Sequence, residues 1–125
     1  MQGPALRLVP RLVNPPPPET ARLSLIFADA VAAARERGAP PAALACRQLP
    51  LVRLASVHGS VLELSAQLDA LFDLRGPGTA RAELGAMVER LAASLVHAGR
   101  RAAALRLRTV MARRRFFPGR AYPRG

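Results

Sequence analysis

Residues 51–74, LVRLASVHGSVLELSAQLDALFDL, carry the apolar pattern that decides the fold. Leucine and valine recur at alternating steps of three and four residues, at Leu54, Val57, Val61, Leu64, Leu68 and Leu71. This spacing is the heptad seam of a helix that packs lengthwise against another helix. The pattern predicts a single helix over Leu51–Leu74, and its continuity argues against a helix-turn-helix break at Gly59. The sequence Arg75-Gly76-Pro77-Gly78 then ends it, because glycine caps a helix and proline prevents its continuation.

A second heptad seam follows that break. The expected N-cap is Thr79, and Glu83 lies in the first turn, where the helix dipole favours an acid. The seam residues are Leu84, Val88, Leu91, Leu95, Ala98, Ala102, Leu105, Thr109 and Ala112. Because the register continues past Gly99, the pattern predicts one helix of about 35 residues, or about 50 Å.

The residues before the seams predict a further helix and a leader. Residues 19–37 have an apolar stripe at helical spacing, and Gly38 stands where a helix-ending glycine belongs. The stripe consists of Leu23, Ile26, Phe27, Ala30, Val31 and Ala34. A short helical piece over residues 41–49 is expected to stop at Pro50. Pro15–Pro18 predict an extended, Pro-rich leader.

These elements predict an all-α fold, a small three-helix bundle built on a long antiparallel heptad hairpin. Residues 1–18 form the leader, 19–112 the helical bundle and 113–125 a basic aromatic tail. If the two seams pair residue by residue, the shorter helix ends opposite Leu105. The chain after Leu105 is therefore expected to project beyond the hairpin. Its arginines would then lie out of reach of Glu63, Asp69 and Asp73.

Composition narrows the class of protein. A chain of 125 residues is one domain by length, and its single cysteine, Cys46, excludes an internal disulfide. Two histidines and one thiol are too few for a structural zinc site, and no cofactor motif is present, so neither a metal nor a cofactor is predicted. No apolar run has the length of a membrane span. An intracellular location is predicted, and the acid-free N-terminus with Arg7 and Arg11 leaves organelle import open.

Arginine is concentrated at one end. The chain has no lysine, and nine of its nineteen arginines lie in residues 99–125, which contain no acid. Guanidinium groups present a planar fork of donors that suits phosphate and carboxylate. The sequence therefore predicts an anionic partner. The candidate binding residues are Arg100, Arg101, Arg106, Arg108, Arg113, Arg114, Arg115, Arg120, Arg124, Phe116, Phe117 and Tyr122.

The spacing of these residues indicates how a partner would be held. Arg101, Arg108 and Arg115 are seven residues apart, as are Arg106 and Arg113, so two rows flank the seam. Such rows select partners in coiled coils, and they also suit nucleic-acid phosphates. An anionic membrane ranks last, because arginines 100 and 114 occupy the opposite face. The aromatic residues of the tail are expected either to stack on bases or to pack under the helical bundle.

One pattern resembles an active site. Arg53 and His58 form an Arg-x4-His, and Arg90 and His97 a looser Arg-x6-His. This resembles the motif of HEPN-type ribonucleases, which are small helical proteins. The resemblance implies that the histidine performs acid–base chemistry on a ribose 2′-OH while the arginine stabilises phosphate charge. A ribonuclease is accordingly one alternative function.

The favoured function is a non-enzymatic accessory or structural subunit whose arginine-rich C-terminal helix and tail bind nucleic acid, RNA first, within a larger assembly. The alternative is a protein–protein adaptor that docks the seam and its flanking arginines on an acidic helical partner. Heptads of this kind also allow a homodimer, because a seam does not specify whether its partner helix belongs to the same chain.

Overall fold

The computed structural model describes residues 18–76 and 79–116, apart from the side chains of residues 18, 115 and 116. Over these ranges the chain forms five α-helices and no strand, which confirms the predicted all-α class. The helices are α1 (Pro18–Glu36), α2 (Pro41–His58), α3 (Val61–Phe72), α4 (Arg81–His97) and α5 (Arg101–Phe116). Residues 1–17 of the predicted leader (1–18) and residues 117–125 of the predicted tail (113–125) lie outside the described residues, and residues 113–116 of that tail belong to α5.

Four of the helices build one core. Each of α2, α3, α4 and α5 contacts the other three, and α2 also contacts α1. Their largest fully buried side chains are Val52, Ser56, Leu64, Leu68, Leu71, Leu84, Val88, Leu95 and Leu107. Each buried leucine contributes about 2 kcal/mol of transfer free energy. Helix α1 packs chiefly on α2 through Val31 and Ala34, and it contributes no side chain to the central core cluster.

The predicted single helix over residues 51–74 is wrong at its start and in its interior, whereas its predicted end is within two residues of the end of α3 at Phe72. Helix α2 begins at Pro41 and continues through Pro50, so that proline does not stop it. Buried side chains on both sides of Pro50, among them Leu44 and Val52, hold the two halves in one helix. The chain then breaks at Gly59, where the seam was expected to continue.

A reciprocal cap at Ser60 starts α3. The Ser60 N–H donates to Glu63 Oε1 at 2.8 Å, and the Glu63 N–H donates to Ser60 Oγ at 3.1 Å. Gly59 fits this junction because a Cβ there would lie 2.8 Å from Glu63 Oε1 and 3.0 Å from the Ala55 backbone. Seam residues 64, 68 and 71 are buried in α3, whereas Val61 is exposed. The seam therefore does not cross the junction.

The predicted helix of about 35 residues is also two helices. Gly99 has φ +79°, the Gly99 N–H donates to Val96 O at 3.0 Å, and the Arg100 N–H donates to Leu95 O at 2.7 Å. This pair of bonds is the Schellman motif, which ends a helix at a left-handed glycine. Gly38 ends α1 in the same way, as the sequence predicts.

The start of α4 differs from the prediction by one residue. Ala80, not Thr79, is the N-cap, and its N–H donates to Glu83 Oε1 at 3.3 Å. Thr79 is buried and exchanges two backbone hydrogen bonds with Gly76, each 2.9 Å long. These bonds hold Thr79 in the turn, so the helix begins after it.

Pro50 provides a test of the continuous α2. We expect Pro50→Ala to raise the free energy of unfolding by about 1–3 kcal/mol, because alanine restores the missing N–H and removes the clash with the preceding turn. Pro41→Ala is the matched control: Pro41 lies in the first turn of α2, where its absent N–H has no partner in any case. Thermal unfolding followed by circular dichroism measures both. A loss of stability in Pro50→Ala would contradict the continuous helix.

Candidate anion-binding surface on helix α5

Helix α5 is part of the core rather than a projecting arm. Its buried face consists of Ala103, Ala104, Leu107, Val110 and Met111. The expectation that the chain projects beyond the bundle after Leu105 is therefore wrong. The Schellman turn at Gly99 is the reason, because it redirects the chain so that α5 buries a different set of residues from the predicted seam.

The predicted seam becomes the outer face of α5, defined here by Ala102, Leu105, Thr109 and Ala112. The first three side chains are exposed and the fourth is half-buried. Leu105 is 67% exposed. At 100° per residue, Arg101 and Arg108 flank this line on one side, and Arg106 and Arg113 flank it on the other. The arginine rows predicted from the sequence thus border an apolar line that faces solvent.

Arg106 is held by the fold. Its guanidinium donates from Nη1 to Ser56 O at 3.1 Å and from Nη2 to Gly59 O. Both carbonyls belong to the C-terminal turn of α2 and its cap, where a helix leaves backbone acceptors without intrahelical donors. Arg106 therefore joins α5 to the junction between α2 and α3, and it borders the outer face with only part of its donor set available.

Arg114 and Arg108 have acidic partners. Arg114 forms an ion pair with Asp69, and its guanidinium carbon lies 5.1 Å from the centre of the Phe72 ring. The sequence-based expectation that Asp69 lies out of reach of these arginines is wrong, since α5 packs against α3. Arg108 Nε lies 3.5 Å from Glu89 Oε1, and both side chains are about half exposed. Such an exposed pair contributes about 0–1 kcal/mol, so Arg108 can still exchange partners.

Three arginines keep their side chains free of acids. Arg100, Arg101 and Arg113 are exposed and have no ion pair or side-chain hydrogen bond with other described residues. Helix α5 contains six arginines and no acid. The outer face of α5 therefore lies in a positively charged region, with the unpaired Arg100 and Arg101 at the start of the helix and the unpaired Arg113 about three turns later.

A groove of about 210 Å³ runs beside this face. Its walls are Val61, Leu105, Arg106, Thr109, Val110 and Arg113. Val61 is 48% exposed, and Leu62, the next residue of α3, is 81% exposed. The groove thus has apolar walls from two helices and an unpaired guanidinium, that of Arg113, at its rim. Val61 and Leu62 are not among the binding residues predicted from the sequence, although Ser60-x-x-Glu63, a capping-box pattern, indicates that a helix starts there.

A second, larger groove of about 510 Å³ lies between α4 and α5. Phe72, Met111 and the small residues Ala82, Gly85 and Ala86 line it, together with Arg81, Glu89 and Arg114. Arg81 also stacks on Phe72, with its guanidinium carbon 5.9 Å from the ring centre. Two arginines therefore cover one aromatic ring beside this groove.

The remaining candidate residues divide into two groups. The side chains of Arg115 and Phe116, and the whole of Phe117, Arg120, Tyr122 and Arg124, lie outside the described residues, so their binding roles stay predictions. Arg53 and His58 of the ribonuclease-like pattern are both exposed on α2. Five residues on a helix correspond to about 140° of rotation, so one copy of the chain presents them on different faces.

Within residues 18–76 and 79–116, no three side chains of the metal-binding types cluster. None of the five helices is both long enough and apolar enough to cross a membrane.

Comparison of the chain with models of protein families, with curated proteins and with solved structures finds no match.

Proposed function

We propose that the protein is a non-enzymatic helical accessory subunit that binds an acidic amphipathic helix on the outer face of α5. The observation that supports this most directly is the groove, in which exposed Leu105 and Val61 stand beside the unpaired guanidinium of Arg113. A groove with apolar walls and a cationic rim suits a helix that has a stripe of leucine flanked by carboxylates. The apolar walls supply affinity, and the arginines select a partner of negative charge.

The length of the surface agrees with this partner. Helix α5 has 16 residues and is therefore about 24 Å long. An acidic helix of about 16–18 residues would lie along the whole outer face and bring carboxylates near Arg101, Arg108 and Arg113. Arg108 can exchange its exposed contact with Glu89 for a partner carboxylate.

Nucleic acid is the second candidate, supported by the three unpaired arginines and the absence of acids on α5. Phosphates would contact Arg100, Arg101 and Arg113, and the tail would add Arg120 and Arg124. RNA binding of this kind depends on charge and is nearly independent of Leu105. Its log–log salt slope should be about −0.7 for each phosphate contacted on a single strand.

Fluorescence anisotropy with two probes separates these functions. The first probe is a labelled designed helix of about 18 residues with leucines on one face and glutamates beside them, and the second is a labelled single-stranded RNA. We expect Leu105→Ser and Arg113→Glu each to weaken peptide binding by about tenfold or more, equivalent to about 1.4 kcal/mol. Both positions are exposed, so the fold should tolerate these changes.

Matched controls lie on α4. Val96→Ser alters an exposed apolar side chain away from the groove, and Arg90→Glu reverses an exposed charge there. Both variants should bind the peptide like the unaltered chain. Equal loss in Arg90→Glu and Arg113→Glu with no effect of Leu105→Ser would contradict a docked helix. Tight, steeply salt-dependent RNA binding in that case would identify nucleic acid as the partner.

A further inference from the structure

Exposed large apolar side chains form two patches with opposite surroundings. Within the described part of the chain, six of the seven such residues lie either on α1 or around the α5 groove. On α1 they are Leu25 and Ile26, which form the α1 patch, and Leu23, which is 39% exposed and lies about 160° around the helix from Leu25. The groove patch contains Val61, Leu62 and Leu105. Patches of exposed apolar surface mark sites of interaction.

The helices that carry the two patches differ in charge, although Arg22 lies one turn before Leu25 and Ile26 on α1. Helix α1 carries three acids and two arginines, while α5 carries six arginines and no acid. Glu19, Asp29 and Glu36 are all exposed and have no ion pair with other described residues. Helical spacing places Asp29 one turn after Leu25, and Glu36 two turns further along the same line.

The two patches do not meet within one molecule. Helix α1 packs on α2 through Val31 and Ala34, and this contact leaves Leu25 67% and Ile26 52% exposed. The groove patch is equally open in the same molecule. Helix α1 has 19 residues, about 28 Å, which is sufficient to cover the 24 Å of α5.

We infer that α1 of a second copy of this chain occupies the α5 groove, so that the protein assembles head to tail. Leu25 and Ile26 of the second copy pack on Val61 and Leu105, and its acids approach Arg101 and Arg113. This inference rests on the proposed function, since it names the acidic helix that the groove binds. A contact between two different surfaces is heterologous and leaves one α1 and one α5 face free on every pair. The assembly therefore grows to a closed ring or an open chain.

A mixing experiment tests this arrangement with the full chain. One variant changes the α1 patch, Leu25→Ser with Ile26→Ser, and the other changes the groove, Leu105→Ser with Arg113→Glu. In sedimentation velocity over a concentration series, the unaltered chain should form species larger than a monomer. Each variant alone should stay monomeric, because every contact needs both patches. An equimolar mixture should form a complex of two chains and no larger species, because only one pair of intact patches remains.

Other outcomes overturn the inference. A chain that is monomeric at all concentrations, an α1 variant that assembles normally, or a mixture that stays monomeric would each show that α1 is not the occupant. Val96→Ser is the control for a neutral loss of apolar surface, and thermal unfolding verifies that each variant is folded. Binding of the designed acidic peptide distinguishes failure of the head-to-tail inference from failure of the proposed function. If the monomeric α1 variant binds the peptide, the groove accepts an acidic helix that comes from another protein.

Discussion

A chain truncated after Leu105 is expected to lose its cooperative fold. The deletion removes Leu107, Val110 and Met111, which are at most 5% exposed and lie in the core cluster. At about 2 kcal/mol for each buried side chain, the loss is about 6 kcal/mol. It also removes Arg106 and the ion pair of Arg114 with Asp69. Because domains of this size are stable by only about 5–15 kcal/mol, the thermal transition seen by circular dichroism should disappear.

Truncation after Phe116 is the matched control. It removes the nine residues beyond α5, including Arg120 and Arg124, and leaves every described contact in place. This shorter chain should unfold cooperatively within about 0.5 kcal/mol of the full chain. A cooperative transition in the chain that ends at Leu105 would show that α5 is dispensable, as a projecting arm would be. Comparison of the full chain with the chain that ends at Phe116 also shows whether any binding depends on the tail alone.

The sequence predicts where helices occur better than it predicts where they are interrupted. Residues 19–37 were expected to form a helix, and α1 spans Pro18–Glu36. Gly99 was expected to lie within a helix because Ala98 and Ala102 maintain the heptad spacing. Alanine is small enough for either face of a helix, so an alanine-rich register does not reveal a change of direction. The left-handed conformation of Gly99 is what interrupts the pattern.

For the candidate surface, sequence periodicity identified the two rows of arginines but not their partners. Spacing along α5 fixes which arginines share a face, and the structure retains that arrangement around Leu105. The contact between Arg106 and Ser56 joins residues that are 50 positions apart, so it depends on tertiary packing. The same holds for Val61, which joins the groove from another helix. A helical wheel of one segment therefore reveals neither the contact of Arg106 with Ser56 nor the place of Val61 in the groove.

Arg106→Met is expected to lower the free energy of unfolding by about 2–3 kcal/mol. Methionine retains most of the aliphatic stem but leaves Ser56 O and Gly59 O without the charged donor that each now has. A hydrogen bond from a charged donor contributes about 1.5–3 kcal/mol, and an unsatisfied buried acceptor costs about 1–3 kcal/mol. Ser56 is fully buried, so water cannot readily replace the guanidinium at its carbonyl. Denaturant unfolding measures the change.

Arg113→Met provides the comparison, since Arg113 lies on the same side of α5 two turns later and is exposed. Its removal should change the free energy of unfolding by no more than about 0.5 kcal/mol, and it should weaken the binding of the acidic peptide. Arg106→Met should show the opposite result, with a large loss of stability and, when folded, only a small loss of peptide affinity. Equal effects of the two substitutions on stability would mean that Arg106 does not join α5 to the end of α2. Helix α5 therefore uses two arginines of the same row differently, since the guanidinium of Arg106 fixes the helix to the core and that of Arg113 faces the proposed partner.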